Sequence, residues 1–591
     1  MFSRLRPLFP YLRRYRRSFI WGGISVVLSN GIWVLFPLVI ERAIDGLNHD
    51  VTRQKILLYG SLIVLVAVLK GVFLFLTRWI IIGISREIEF DLRNDLFANL
   101  ERQPQSFYHT HRTGDIMART TNDLNAVRML LGPAIMYSAN TVLFTLGALV
   151  FMLRISPALT LWAFVPLPIA SILVQYYGRR IHERFERIQA MFSDISAKAQ
   201  ENFSGARLIR AFAQEEPEIR SFERANKEYI RRSLLLVRLM GMLWPTLEFV
   251  LGVSLVIALL VGGREVIGHR ISVGEFVAFN TYLVQLTWPM IALGWVVNLF
   301  QRGTASVTRI QELLSEKPSI DDAEATLPED TLLDGAIEFR NLDFAYAADP
   351  AADPATHSPT VLHKINLSVP AGGSLAIVGP TGSGKSTLVS LIARLHDAAP
   401  GAILIDGLPI REYPLATLRR NIGFVQQETF LFSESIRENI AFGTPEATDE
   451  DVLRAATAAH IGNEILEFPR GFQTMVGERG ITLSGGQKQR TAIARAVIRN
   501  PRILILDDAL ASVDTYTEER ILTELRAIMQ GRTTIFISHR VSTVRHADQI
   551  AVLVEGRIAE LGTHDELLAR NGYYTSLFEK QQLEEELSVA G

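Results

Sequence analysis

"LAIVGPTGSGKSTLVSLIARL", residues 375 to 395, decides how the second half of the chain folds. A short aliphatic run meets a glycine-rich turn, and an apolar stretch with helical spacing follows. The segment from Gly379 through Pro380, Thr381, Gly382, Ser383 and Gly384 to Lys385 and Ser386 fits G-x-x-x-x-G-K-[ST] in the strand–loop–helix context that the motif needs. Glycines let backbone N–H groups close around phosphate oxygens, and the positive end of the following helix, which opens at Ser386 and Thr387, adds to that field. Lys385 is expected to reach the outer phosphates of ATP, and Ser386 to offer its hydroxyl to Mg²⁺.

Downstream, "ILILDDALASVD" at 503 to 514 is a run of aliphatics ending in two aspartates. A buried strand that delivers carboxylates to its tip suits a metal, so Asp507 is expected to help hold Mg²⁺. Asp508 then stands where a carboxylate can orient the attacking water.

The first half of the chain is of a different kind. Its apolar residues gather into runs at 18 to 41, 56 to 80, 132 to 154, 157 to 178, 238 to 262 and 273 to 300, each long enough to cross a bilayer as a helix. Arg4, Arg6, Arg13, Arg14, Arg16 and Arg17, with no acidic residue among them, are expected to keep the N-terminus in the cytoplasm by the positive-inside rule. The expected organisation is an all-α six-helix transmembrane domain at 1 to 302 with long cytoplasmic extensions, a polar linker at 303 to 335, and an α/β P-loop ATPase domain at 336 to 591. A stretch rich in Ala, Pro and Asp at 347 to 359 reads as a loop between strands. The net charge of −2 gives no reason to expect nucleic-acid binding, and the absence of cysteine excludes disulfides, cysteine-based zinc sites and thiol catalysis.

Further motifs carry a resemblance. "LSGGQKQR", Leu483 to Arg490, resembles the ABC signature; Tyr346 is similar to the adenine-stacking A-loop aromatic, Gln427 in "VQQETFLF" to the Q-loop, "VGERG" at 476 to 480 to the exporter X-loop, Asp514 to the D-loop and His539 in "ISHR" to the switch histidine. "FYHTHRTGDIMARTTNDLNAVR", 107 to 128, and "ENFSGARLIRAFAQE", 201 to 215, resemble the segments around the two coupling helices. The chain thus resembles a half-transporter of the multidrug and lipid ABC exporters over nearly its whole length. The resemblance implies a cytoplasmic-membrane exporter that binds ATP and Mg²⁺, with Gln427 beside the metal and His539 and Asp508 as catalytic groups. It also implies a second half-transporter, because Ser484, Gly485, Gly486 and Gln487 would contact the nucleotide on a partner's P-loop.

The sequence departs from the family at the strand tip. The usual string is Asp-Glu-Ala-Thr-Ser-Ala-Leu-Asp, whereas Asp507, Asp508, Ala509, Leu510, Ala511, Ser512, Val513 and Asp514 stand here. Aspartate is one methylene short, which withdraws the carboxylate by about 1 Å, and a misplacement of that size can cost ~10²-fold in rate. Either the backbone compensates or the site binds ATP and rarely hydrolyses it; Leu510 and Ala511 in place of two hydroxyl residues favour the second. The intact signature then points to a different partner chain with Glu after its own aspartate. Hydrophobic or amphipathic compounds are the expected cargo, with a lipid flippase, a homodimeric exporter or a non-transporting regulator as alternatives. Lys70 and Glu248, each inside an apolar run, either face a cavity, form structural ion pairs or snorkel to a boundary, and Trp33, Trp244, Trp288 and Trp295 either line that cavity, form interfacial belts or pack helices.

Overall fold

The computed structural model describes residues 2–346, 359–477, 480, 482–509, 520, 521, 523 and 529–590. Leu510, Ala511, Ser512, Val513 and Asp514, most of the 347 to 359 loop, and Glu478 and Arg479 of the X-loop lie outside the described residues. The chain divides into two compact units, one of Met1–Phe97 with Met117–Ser315 and one of Ala98–Ile116 with Glu316–Gly591.

The first unit is helical. Long helices span Arg16–His49, Arg53–Glu101, Ile135–Ile155, Leu167–Ser204, Glu215–Ile267 and Thr287–Ser315, with shorter ones at Pro157–Phe164 and Val273–Gln285. Among the described residues, five helical stretches are long and apolar enough to cross a membrane. The fourth of the six expected spans, 157 to 178, is not one of them as a single helix. It is realised as Pro157–Phe164 followed by Leu167–Ser204, interrupted at Val165 and Pro166. Pro166 lacks the N–H that would continue the ladder, so the break has a local cause.

Two large apolar clusters, with smaller ones beside them, hold this unit together. Ile88, Leu92, Leu124, Leu130, Val307 and Ile310 form one, and Phe144, Met152, Ala258, Phe279 and Tyr282 belong to the other. Small residues bring the helices close: a Cβ on Gly274 would lie 2.4 Å from the backbone oxygen of Glu41, and one on Gly303 would lie 2.5 Å from the Leu130 side chain. The last helix runs on to Ser315, through the start of the segment expected as linker. Val307, Ile310 and Leu313, spaced on one helical face, are buried, and this apolar stripe extends the helix through an otherwise polar composition.

The second unit holds two sheets, with strands β1 (Ile337–Ala345), β2 (Thr360–Val369), β3 (Ser374–Val378), β4 (Ile403–Ile405), β5 (Leu408–Pro409), β6 (Ile422–Val425), β7 (Ile503–Asp507), β8 (Thr533–Ile537), β9 (Gln549–Val554) and β10 (Arg557–Gly562). One is antiparallel in the order β2-β1-β4-β5; the other runs β10-β9-β3-β8-β7-β6 and is parallel apart from β10. All of β7 and β8 is buried, as expected for central parallel strands covered on both faces. Residues 98–116 group with this unit rather than with the helical one. Asn99 and Gln103 both donate to the carbonyl of Glu316, at 3.2 and 2.9 Å.

Within the helical unit the buried Asp123 accepts from Ser306 Oγ at 2.8 Å and from Arg309 Nε at 2.7 Å, and Arg309 Nη2 closes a second bond. Asp123→Ala should therefore destabilise the unit by about 1.5–3 kcal/mol, the cost of losing charge-assisted hydrogen bonds. A thermal melt of the detergent-solubilised chain reads this as a lowered transition, and an unchanged melt would show that the network holds nothing.

Candidate functional site

Strands β3 and β7 flank β8 in parallel, so their carboxyl ends open on one edge of the sheet, where ligands of open α/β sheets bind. The loop after β3 meets the tip of β7 there. Gly379 has φ 150°, and a Cβ on it would lie 2.0 Å from the carbonyl oxygen of Leu553 in β9, so no side chain fits. Gly384, at φ 97°, turns the chain into the helix Lys385–Ile392. Lys385 is buried, and its Nζ donates to the carbonyls of Gly379 at 3.0 Å and Pro380 at 2.8 Å. Its ammonium thus lies across its own loop. Burial pushes its pKa down, against the pull of Asp507 and Asp508.

Ser386 Oγ donates to Asp507 Oδ1 at 3.0 Å, which joins loop helix to strand tip. Burial raises the Asp507 carboxyl above the usual carboxylate range; Asp508 adds to this, while the Ser386 hydrogen bond, Lys385 and His539 oppose it. A buried carboxylate beside an exposed hydroxyl fits Mg²⁺, which binds one or two carboxylates together with substrate phosphates. Among the described residues no cluster of three His, Asp or Glu offers a metal cage, so phosphate and water oxygens would supply most of the remaining ligands. Ser383 Oγ, buried in the same loop without a hydrogen-bond partner, is a second group that a phosphate would satisfy.

Asp508 has φ 49°, a left-handed conformation that Asp tolerates better than most residues, and its N–H donates to Ile537 O at 3.1 Å. His539 follows β8 and is exposed. Its carbonyl accepts from Gln581 Nε2 at 2.5 Å, while Gln581 Oε1 accepts from Val541 N–H at 2.8 Å. Sequence reasoning missed this amide clamp, because a glutamine on a polar C-terminal helix carries no local signal. Tyr346 is 42% exposed, with its hydroxyl 2.7 Å from Thr387 Oγ1 and its ring edge-on to Phe344 and His396. Gln427 sits exposed in the turn after β6 and, among the described residues, hydrogen-bonds to neither Ser386 nor Asp507.

The signature segment is built separately. Ser484 caps the helix Gly485–Val497: its Oγ accepts from Gln487 N–H at 3.2 Å, and Gln487 Oε1 accepts from Ser484 N–H at 3.0 Å. Gln487 and Arg490 are both anchored on Glu464, the latter through two bonds of 2.6 and 2.9 Å. Ser484 and Gly485 are exposed, with the helix N-terminus open to an anion. Among the described residues, no hydrogen bond joins Ser484 through Gln487 to the loop at 379 to 387.

The helical unit contains a cavity of about 560 Å³ lined by Trp33, Lys70, Arg78, Trp244, Gln285 and Trp288 among others, with no acidic residue in its lining. Lys70 Nζ lies 3.0 Å from the centre of the Trp33 ring. Of the alternatives for the ionisable pair, Lys70 faces the cavity; Glu248 is exposed and outside its lining. Trp295 packs edge-on against Tyr137. A cation near the bilayer centre costs about 2.5–3.5 kcal/mol, and a desolvated cation–π contact returns about 2 kcal/mol, so Trp33 offsets only part of the cost of Lys70.

Comparison with known proteins follows the same division. The family model of the ABC transporter transmembrane region matches residues 19–290, and the ABC transporter family model matches 362–511. The chain is 37% identical to the probable multidrug resistance ABC transporter ATP-binding/permease protein YheI of Bacillus subtilis, over 99% of this chain and 98% of that one. It is 34% identical to the ATP-dependent lipid A-core flippase of Syntrophus aciditrophicus, over 99% and 95%. A bacterial Atm1-family ABC exporter solved with ATP bound superposes with a TM-score of 0.76 at 29% identity, covering 96% of this chain and 98% of that one.

Gly379→Ala should lower nucleotide affinity at this chain's own loop by at least ~10-fold, since the added carbon meets a β9 carbonyl and the loop must distort. Titration with a fluorescent ATP analogue checks this; unchanged affinity would place the nucleotide elsewhere.

Proposed function

The chain belongs to the ABC exporters, ATPases coupled to transport across a membrane, and from that premise we propose that it is one half of a heterodimeric exporter of hydrophobic or amphipathic compounds. The observation that carries the reading is a division within one chain. A nucleotide loop with a short carboxylate, Asp508, coexists with a well-formed signature helix that makes no hydrogen bond to that loop among the described residues. A second chain supplies the signature for this loop, and Ser484 and Gly486 complete the partner's site. The N-terminal arginines and the ATPase unit face the cytoplasm of the cell in this reading.

In the closed site, Lys385 leaves the carbonyls of Gly379 and Pro380 for the outer phosphates, and Ser383 Oγ gains the partner it lacks. Tyr346 releases Thr387 and turns its ring to the base; base–aromatic stacking is worth about 1–3 kcal/mol at nucleic-acid sites, by analogy. Ser386 and Asp507, with Gln427 once it turns toward them, would hold Mg²⁺, which would supply neutralisation of charge on the phosphate oxygens. His539, its backbone held by Gln581, hydrogen-bonds the γ-phosphate or the attacking water. Asp508 orients that water poorly because its carboxylate is withdrawn by about 1 Å, within the range that costs ~10²-fold. The site therefore binds ATP and turns it over slowly.

A lipid flippase on the same scaffold is the second reading, favoured by the likeness to a lipid A-core flippase and by the cationic cavity.

In the complete transporter, Asp508→Asn should leave most steady-state hydrolysis, whereas Ser484→Arg should abolish most of it, because Asp508 acts on this chain's ATP and the signature acts on the partner's. Phosphate release by the co-purified pair measures both. A robustly active homodimer silenced by Asp508→Asn would overturn the heterodimer.

A further inference from the structure

The cavity in the helical unit is chemically lopsided. It holds two cations, Lys70 and Arg78, and no acid among its lining residues. Among the described residues, neither cation has a carboxylate within ion-pair distance; the contact recorded for Lys70 is the face of Trp33. Around these polar groups stand Trp33, Trp244 and Trp288, flat apolar surfaces that accept rings and chains.

Each feature alone has an ordinary explanation, and their combination narrows it. A lysine in a membrane helix commonly pairs with an acid or snorkels to a boundary. Lys70 does neither: it turns inward onto a tryptophan, in the middle of an apolar run, into a space large enough for a small ligand. Arg78 lies roughly two turns, or about 12 Å, further along the same helix toward its cytoplasmic end. Cationic groups therefore stand at two depths of one cavity, and nothing in its lining neutralises them.

We propose that this cavity selects amphipathic anions, an acidic head of carboxylate, sulfonate or phosphate type on an aromatic or hydrocarbon body. Arg78 and Lys70 hold the head, and the tryptophans cover the body. The same arrangement disfavours amphipathic cations, which would bring a third positive charge into a space of low dielectric. The proposal rests on the reading of the chain as an exporter and names the cargo of that reading. Its test measures binding alone, so that a failure to transport counts against export and leaves the binding result standing.

Three probes with one body and different heads decide the matter: pyrenebutyrate, pyrenebutanol and a pyrenebutyl trimethylammonium salt. Energy transfer from tryptophan to pyrene is followed on the full chain in detergent. Pyrenebutyrate should bind about tenfold or more tightly than the cation, the size expected of one close charge pair. Lys70→Gln and Arg78→Gln should each remove most of that preference, while Lys70→Arg keeps it, which separates a lost charge from a lost fold. Competition with phosphatidylglycerol and phosphatidylcholine vesicles identifies the source of the head. Displacement by the first alone assigns the site to an anionic lipid, and displacement by neither assigns it to soluble amphipathic anions. Equal or tighter binding of the cation, or a preference untouched by both glutamine variants, overturns the proposal.

Discussion

The hydrogen bond from Ser386 Oγ to Asp507 Oδ1 ties two distant stretches of chain into one site, and it exists only because the sheet is ordered as it is. β3 and β7 must run parallel with β8 filled in between them, so that a loop and a carboxylate arrive together at one edge. The cost is a carboxyl in a buried place, whose pKa rises for that reason. A cation at this point relieves that cost, and so the fold itself creates an appetite for one. The signature helix follows a different logic, since its capping box and its two bonds to Glu464 finish it locally and leave Ser484 and Gly485 exposed. One chain thus carries two completed half-sites.

What was legible in the sequence was whatever depends on neighbours in the chain. The turn at Gly379 to Ser386 is dictated by residue types within a few positions, and the apolar runs of the first half announce helices by length. The break in the fourth run was legible in principle from Pro166, but a membrane span read by hydropathy alone passes over a proline. Residues 303 to 315 misled because their polar composition hides Val307, Ile310 and Leu313, one apolar face on a helix. Facts that depend on rotation and depth were beyond reach. Glu248 lies one turn past Trp244, yet only Trp244 reaches the cavity. Gln581 holds the backbone around His539 from a helix 42 residues further along the chain, and no spacing rule foretells such a pair.

The short carboxylate has a thermodynamic consequence for the proposed pair. A nucleotide that binds and stays stabilises whatever closed state it bridges by RT ln(1 + [L]/Kd), about 2.7 kcal/mol when ATP is a hundredfold above its Kd. At this chain's loop that contribution is nearly constant through a cycle, because Asp508 rarely removes the γ-phosphate. At the partner's loop it comes and goes with hydrolysis. Opening then has to overcome one nucleotide bridge rather than two, and only one ATP need be spent per reset. An intact signature on this chain is what such a division requires, since the site that turns over leans on Ser484 and Gly486. In the proposed pair, a shortened carboxylate at Asp508 and a retained signature are two sides of one arrangement, in which this chain would hold its own nucleotide and serve the other.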